Sequence, residues 1–281
     1  MSVEDELSIR RILVALDAAT EMADALETCA LLAARLDAEL HGLFIEDVNL
    51  LRLAQFPSAQ QFSSFSTSGR PLDVSSIEAE LRALATRARR ALAATAERNS
   101  LLWSFSVVRG PIAGALTTAA ADVDLLVVPS ATRAVTRHAQ LLPRALTLTK
   151  QVPRTVLVLR RGLALAKTAV VVYDGSRSAQ HALLMSRRLF GGQAQLLVLL
   201  ATAAAEHTAD LRRHAERTLG TASGTGACRF QWLHEPGELG ALMAPIDAAV
   251  LVLPAASEWL QRPGALEMLE AGSYPILLVR D

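Results

Sequence analysis

Residues 124–144 contain the side chains that decide whether this chain could bind a phosphate group. The segment opens with a short apolar run, residues 125–128, which is typical of a buried strand in a parallel sheet. The chain then crosses a polar loop and enters a helix near Pro143. The start of a helix is where backbone N–H groups bind a phosphate. This loop contains Ser130 and Arg133 but no glycine, so side chains would have to hold an anion there.

The rest of the sequence has no motif for a known cofactor or reaction. It lacks a GxxxxGK phosphate loop and a GxSxG nucleophile elbow. Its six histidines show no metal-ligand spacing with cysteines or acids. Cys29 and Cys228 are isolated, as is typical of small buried residues in a reducing compartment. We therefore expect no metal centre and, because no nucleophilic or charged cluster converges, no enzyme.

Charge and hydropathy exclude further classes of function. The chain has 28 basic and 28 acidic residues and a formal net charge of zero, which argues against a dedicated nucleic-acid binder. The first ten residues are acidic and polar, unlike a signal peptide. No apolar run approaches the roughly 18 residues of a membrane helix. We expect a cytoplasmic protein without a membrane partner.

Strands alternate with helices through the first half of the chain, which predicts a parallel sheet with right-handed crossovers. The predicted strands lie at 11–17, 39–47, 104–109, 125–128 and 155–159, and the predicted helices at 20–36, 78–99, 112–121 and 144–150.

Residues 48–74 interrupt this alternation as an irregular, Ser-rich insertion that contains Pro57 and Pro71. A loop this long inside a domain is either functional or disordered. Its apolar first part predicts packing on its own domain, with a lid or a contact to a second subunit or protein partner as alternatives.

The same pattern then repeats, which indicates two copies of one domain. Strands are predicted at 169–174, 195–200, 229–234, 249–253 and 274–280, and helices at 176–190 and 205–219. The predicted domains are therefore 1–161, with an insertion at about 48–77, and 167–281.

Each half resembles a universal stress protein domain. The resemblance rests on the order of elements, the first strands that end in Asp17 and Asp174, the Asp-Gly-Ser turn at 174–176 and the Pro-led last strand at 275–279. It implies an α/β fold with two tandem five-stranded parallel-sheet domains of the adenine nucleotide alpha hydrolase-like type, with helices on both faces. It also implies that the two halves pair with each other as two chains of a dimer would.

Nucleotide-binding members of that family have a loop of the form G-x-x-G, nine residues, then G-S or G-T. Glycine lets backbone N–H groups approach a phosphate, and the hydroxyl adds a further donor. In the first half the four motif positions are occupied by Ser130, Arg133, Pro143 and Arg144. Every one of them departs from the pattern.

The corresponding loop of the second half is shorter, and it departs as well. Ala255 replaces the first glycine, Glu258 would bring negative charge towards a phosphate, and only Gly264 matches the third glycine. The resemblance therefore implies degenerate phosphate loops and no resident cofactor, with ATP or another adenine nucleotide as the open alternative.

The nucleoside end of such a site would be formed by the residues after the first strand of each half. Asp17, Asp174, Gly175 and Ser176 lie where the family contacts the nucleoside. Capping of the following helices is the structural alternative for the Asp and Ser residues. Arg133 and Arg144 would either hold an anion by their side chains or fill the former pocket and pair with acids.

These patterns predict a stress-response or regulatory protein that acts by binding a partner or a small ligand. Two alternatives remain open. One is an adenine-nucleotide-binding switch that keeps a site in the second half, and the other is a slow nucleotide hydrolase. The insertion at 48–74 is the predicted surface for a protein partner or a second copy of the chain.

Overall fold

Ten β-strands, some paired in parallel and some antiparallel, form one continuous sheet that runs through both halves of the molecule. A computed structural model describes residues 8–16, 22–55, 60–61, 70–71, 73–129, 154–160, 167–190, 195–220, 228–246, 249–272 and 274–280. From one edge to the other, the ten main strands are residues 228–233, 195–201, 168–173, 249–254, 276–279, 155–159, 125–129, 11–16, 39–47 and 103–110.

Each half contributes five parallel strands in the same order, which confirms the predicted fold class. The first half has β1 (Arg11–Leu16), β2 (Glu39–Asp47), β5 (Trp103–Gly110), β6 (Leu125–Pro129) and β7 (Thr155–Leu159). The second half has β8 (Thr168–Tyr173), β9 (Gln195–Ala201), β10 (Cys228–Leu233), β11 (Ala249–Pro254) and β12 (Ile276–Val279). Within each half the first strand pairs with both the second and the fourth.

Helices cover both faces of the sheet. The helices of the described residues are α1 (Met22–Leu36), α2 (Val48–Ala54), α3 (Val74–Arg98), α4 (Ile112–Ala119), α5 (Arg177–Phe190), α6 (Thr208–Leu219), α7 (Glu238–Met243) and α8 (Ala265–Ala271). Buried residues of α1, α3, α5 and α6 form the core on one face, and those of α4, α7 and α8 form the core on the other. None of these helices is long and apolar enough to cross a bilayer.

Alternation along each strand divides its side chains between these two cores. Val14 and Leu16 of β1 lie in the first core, whereas Leu13 and Ala15 lie in the second. All four are buried. A strand buried on both faces reads as a continuous apolar run, which is why the central strands were recognisable in the sequence.

The two halves join where their last strands pair antiparallel. Leu157 of β7 lies opposite Leu277 of β12, and both are buried. Directly after β7, Arg160 reaches into the other half and donates to the backbone oxygens of Leu269 (2.9 Å) and Glu270 (3.0 Å), at the end of α8. A cation at a helix C-terminus satisfies carbonyls that have no partner within the helix. The join is therefore hydrogen-bonded through both backbone and side chains.

The prediction that residues 48–74 are irregular is wrong for the first part of the insertion. Residues 48–54 form helix α2, because the Asp47 carboxylate accepts from the backbone N–H of Asn49 (3.0 Å) and starts the helix. Two short antiparallel strands follow, β3 (Gln60–Gln61) and β4 (Arg70–Pro71). The next helix, α3, begins four residues earlier than predicted, since Asp73 caps it through the N–H of Ser76.

Candidate functional site

The strand order places a ligand-binding edge in each half. In an open parallel sheet, ligands bind beyond the carboxyl ends of the strands, where the strand order reverses. That point lies between β1 and β6 in the first half and between β8 and β11 in the second. The predicted first-half residues Asp17, Ser130, Arg133 and Arg144 all lie outside the described residues. The candidate site residues that the structure describes therefore belong to the second half.

Asp174, Gly175 and Ser176 form a tight turn directly after β8. The Asp174 carboxylate accepts from the backbone N–H of Ser176 through Oδ1 (3.0 Å). Ser176 Oγ in turn accepts from the backbone N–H of Ala179 (3.1 Å). Such a bond from the N3 amide satisfies one of the first free N–H groups of a helix. Both side chains thus fix the start of helix α5.

Gly175 is required by the shape of this turn. Its φ is +81°, in the left-handed region, and a Cβ atom at this position would lie 2.9 Å from Leu211 Cδ2 and 3.7 Å from His214 Nδ1. Helix α6, which carries Leu211 and His214, therefore packs directly against the turn. The Tyr173 hydroxyl lies 3.2 Å from His214 Nδ1, and burial raises the pKa of the Tyr173 phenol.

Ser257 completes the site from across the point where the strand order reverses. It lies in the loop after β11, is 2% exposed, and donates through Oγ to Asp174 Oδ2 at 2.7 Å. The same Oγ accepts from the backbone N–H of Trp259 (3.1 Å) and so caps the short 3₁₀ helix Glu258–Gln261. Both oxygens of the Asp174 carboxylate are consequently bonded within the protein.

Two other residues of the second-half loop have positions that bear on phosphate binding. Glu258 is exposed on the 3₁₀ helix. Gly264 has φ +80° and stands at the N-cap of α8, so its role is to let the chain turn into that helix. Arg262 donates to the backbone oxygen of His234 (3.0 Å). This loop is therefore held by hydrogen bonds to the segments that follow β8 and β10.

The predicted residues Asp174, Gly175 and Ser176 lie together in the turn after β8, and Ser257, which bonds to Asp174, was not predicted. A serine in a short loop after a Pro-ended strand was the available signal, because the strand order brings that loop beside the first strand. The described residues contain no group of three or more histidines, cysteines or acids that could hold a metal ion. The arrangement holds one carboxylate and two hydroxyl groups, which suits it to bonding a polar group or to bracing the fold.

Solved structures with this architecture cover both halves of the chain. A universal stress protein from Archaeoglobus fulgidus DSM 4304 matches with a TM-score of 0.70 and 14% sequence identity, over 98% of this chain and 97% of that chain. The fold is that of the universal stress proteins. A putative universal stress protein from Pseudomonas aeruginosa UCBPP-PA14 matches with a TM-score of 0.58 and 18% identity, over 98% of this chain and 94% of that one.

The universal stress protein fold is thus present over the full tandem length, and the resemblance drawn from the sequence is confirmed at the level of fold. No family model and no curated protein matches the chain. At these identities the likeness extends to architecture, so the function has to be argued from the site itself.

Proposed function

We propose that this chain is a cytoplasmic stress-response protein of the universal stress protein kind, which acts by binding a partner or small ligand and without turnover of nucleotide. Its fold and its glycine-poor phosphate loops support this proposal. The observation that carries it is the internal bonding of Asp174, whose two carboxylate oxygens are taken by Ser176 and Ser257.

A carboxylate can accept only a limited number of hydrogen bonds. The bonds that Asp174 already accepts within the protein therefore limit what it can accept from a nucleoside. Ser257 follows β11, the strand that neighbours β8 where the strand order reverses, and it bonds to Asp174 from there. A ribose hydroxyl that approached Asp174 from that cleft would have to compete with a charge-assisted hydrogen bond to a buried hydroxyl. Such bonds are about twice as strong as neutral ones.

Thermal unfolding in the presence of ATP, ADP or AMP, with and without magnesium, tests this proposal. We expect no shift of the unfolding midpoint at millimolar nucleotide. A nucleotide at about 100 times its Kd would stabilise the folded state by roughly 2.7 kcal/mol. In a chain of this size that corresponds to a rise of roughly 4–5 °C.

The adenine-nucleotide switch is the second candidate function, because Asp174, Gly175 and Ser176 lie where ligands bind in this topology. A midpoint shift that is present in the wild type and absent in Asp174→Ala would establish the switch and overturn the proposal. Each variant is compared with its own nucleotide-free midpoint, since Asp174→Ala also removes a structural bond. Ser257→Ala serves as the matched control, because it frees the carboxylate without removing it.

The surface that we assign to a protein partner lies on helix α2 in the insertion. Leu50 and Leu53 are 40% and 51% exposed, and their spacing of three residues puts them on one side of the helix. A photo-cross-linking residue at position 53 should capture a partner that the same residue at position 52, on a different side of the helix, does not capture. If the chain instead sediments as a dimer that Leu53→Glu dissociates, the partner is a second copy.

A further inference from the structure

A row of polar side chains crosses the first half of the sheet on the face that α4 covers. Glu39 and His41 lie at alternate positions of β2, and Ser104 and Ser106 at alternate positions of β5, with His41 directly opposite Ser104. Alternate residues of a strand point to the same face. Polar groups therefore occupy one face of two adjoining strands, next to the apolar core on that face.

These four side chains are joined end to end by hydrogen bonds. The Ser104 hydroxyl donates to Glu39 Oε1 (2.5 Å). His41 Nδ1 lies 2.8 Å from Ser104 Oγ, and His41 Nε2 lies 3.0 Å from Ser106 Oγ. The chain of bonds therefore runs from Glu39 through Ser104 and His41 to Ser106.

The direction of the protons along this chain follows from its carboxylate end. A carboxylate can only accept hydrogen bonds, so the Ser104 hydroxyl is the donor in its bond to Glu39. Ser104 Oγ can then only accept from His41, which places a proton on Nδ1. In a neutral imidazole the other nitrogen, Nε2, is an acceptor, and its partner is the hydroxyl of Ser106. The bond from Ser106 to His41 is thus that of a hydroxyl to a base.

The charges around His41 support the neutral imidazole. Burial lowers its pKa from the usual value of 6.5, the positive charge of Arg11 on β1 lowers it further, and the negative charge of Glu39 opposes both. Arg109 on β5 and Asp122 after α4 line the same cavity. Arg11 pairs with Glu39 at 3.5 Å, and Arg109 pairs with acids outside the row.

Ser106 and His41 both line a cavity of about 460 Å³ between the sheet and α4. That volume lies in the range of small-molecule pockets, about 300–1,000 Å³. Its walls are mixed: Leu43, Val108 and Ala115 are apolar, whereas Arg109 and Asp122 are charged. A small acyl group with a polar leaving group would meet both kinds of wall in such a space.

The first turn of α4 also borders this cavity. Gly110, Pro111 and Gly114 line it, and no side chain caps the N-terminus of the helix. The free N–H groups at the start of a helix carry partial positive charge. Negative charge that develops on an oxygen within the cavity would be stabilised by donors of this kind.

We propose that Ser106 is an activated nucleophile that accepts the acyl group of a small ester or thioester, with His41 as its general base. Ser106 Oγ forms a bond to the acyl carbon while its proton passes to His41 Nε2. The bond from the acyl carbon to the leaving oxygen or sulfur breaks, and His41 returns the proton to the leaving group. Water then attacks the acyl-serine with His41 again as base, which releases the carboxylic acid and restores the hydroxyl. Glu39 and Ser104 are positioning residues, since they act through His41.

A fluorophosphonate probe tests this proposal on the full-length chain. Ser106 Oγ would bond to phosphorus, with loss of fluoride and of the hydroxyl proton. We expect one label per chain, mapped by peptide mass spectrometry to Ser106, and a burst of one equivalent of p-nitrophenol from p-nitrophenyl acetate. Mapping in the wild type needs no variant and so does not depend on how a variant folds.

Three variants separate a reactive serine from a structural row. Ser106→Ala should abolish labelling, and His41→Gln, which can still hydrogen bond to both serines, should slow it at least 100-fold. Ser186→Ala is the control, because that buried hydroxyl donates to the Ala182 backbone oxygen and not to a histidine, so its loss should leave labelling unchanged. In the wild type the labelling rate should fall as the pH is lowered, and the midpoint of this fall should lie below pH 6.5. An unlabelled wild type, a label spread over several serines, or a rate unaffected by His41→Gln would overturn the proposal.

Discussion

The hydrogen bond between Ser257 and Asp174 should couple the two residues energetically across the second-half site. Ser257→Ala removes a hydroxyl that is 2% exposed and that donates to a carboxylate at 2.7 Å. A hydrogen bond to a charged group contributes about 1.5–3 kcal/mol. The variant also loses the cap of the 3₁₀ helix, which is worth about 0.5–2 kcal/mol. We expect Ser257→Ala to lower the free energy of unfolding by roughly 2–5 kcal/mol.

A double-mutant cycle isolates the part of this loss that belongs to the bond. Asp174→Ala, Ser257→Ala and the double variant are unfolded in urea and followed by far-UV circular dichroism, with the slope of the transition checked for constancy. The capping contribution cancels in the cycle, so the coupling energy should be about 1.5–3 kcal/mol.

Ser186→Ala provides a matched control for the cycle. Ser186 is buried as fully as Ser257, but its hydroxyl donates to the Ala182 backbone oxygen within α5 (2.6 Å). It lies ten residues along α5 from Ser176, or about 15 Å, so it should not couple to Asp174→Ala. Additivity of Asp174→Ala and Ser257→Ala within about 0.5 kcal/mol would refute the argument that the two loops are held together by this bond.

Three further predictions concern the turn, the join and the polar row. In a urea titration, Gly175→Ala should lower the free energy of unfolding by roughly 1–3 kcal/mol, because Gly175 has a positive φ and an added Cβ would clash with α6. Gly240→Ala is the control: this glycine lies in a helix with open space around it, so the substitution should raise the free energy of unfolding by about 0.5–1 kcal/mol. Leu277→Ala, fully buried where the halves pair, should cost about 2–5 kcal/mol by the same measurement. Because the pKa of His41 is lowered on folding, the unfolded chain binds more protons between that lowered pKa and 6.5. Stability should therefore fall as the pH drops through this window, and His41→Gln should remove that part of the pH dependence.

Most of the fold could be predicted from local pattern. The central strands, such as β1, β7, β8 and β11, are short apolar runs because both of their faces are covered. The edge strands β5 and β10 are partly exposed and contain polar residues. The insertion was harder, since its first helix depends on the cap at Asp47 and not on a long amphipathic period. The start of α3 also differs from its prediction because a capping residue, Asp73, sets it.

The site was less predictable because it is assembled from distant segments. Asp174 and Ser176 are neighbours in sequence, but Ser257 lies 83 residues from Asp174 and meets it only through the strand order. His41 and Ser106 are likewise 65 residues apart. The available signal was polar residues two apart in each of two adjoining strands, a pattern that spans two segments and forms no single catalytic motif.

The antiparallel join of β7 and β12 has a consequence for how the two halves can differ. In an assembly of two identical chains every substitution appears twice, and the assembly comes apart on dilution. Here the contact forms within one chain, so its strength does not depend on protein concentration, and each half is free to lose or gain a group alone. His41 lies opposite Ser104 in the first half, and at the matching positions of the second half Leu197 lies opposite Arg229. One covalent molecule thereby joins two copies of a single fold that carry different side chains at matching positions.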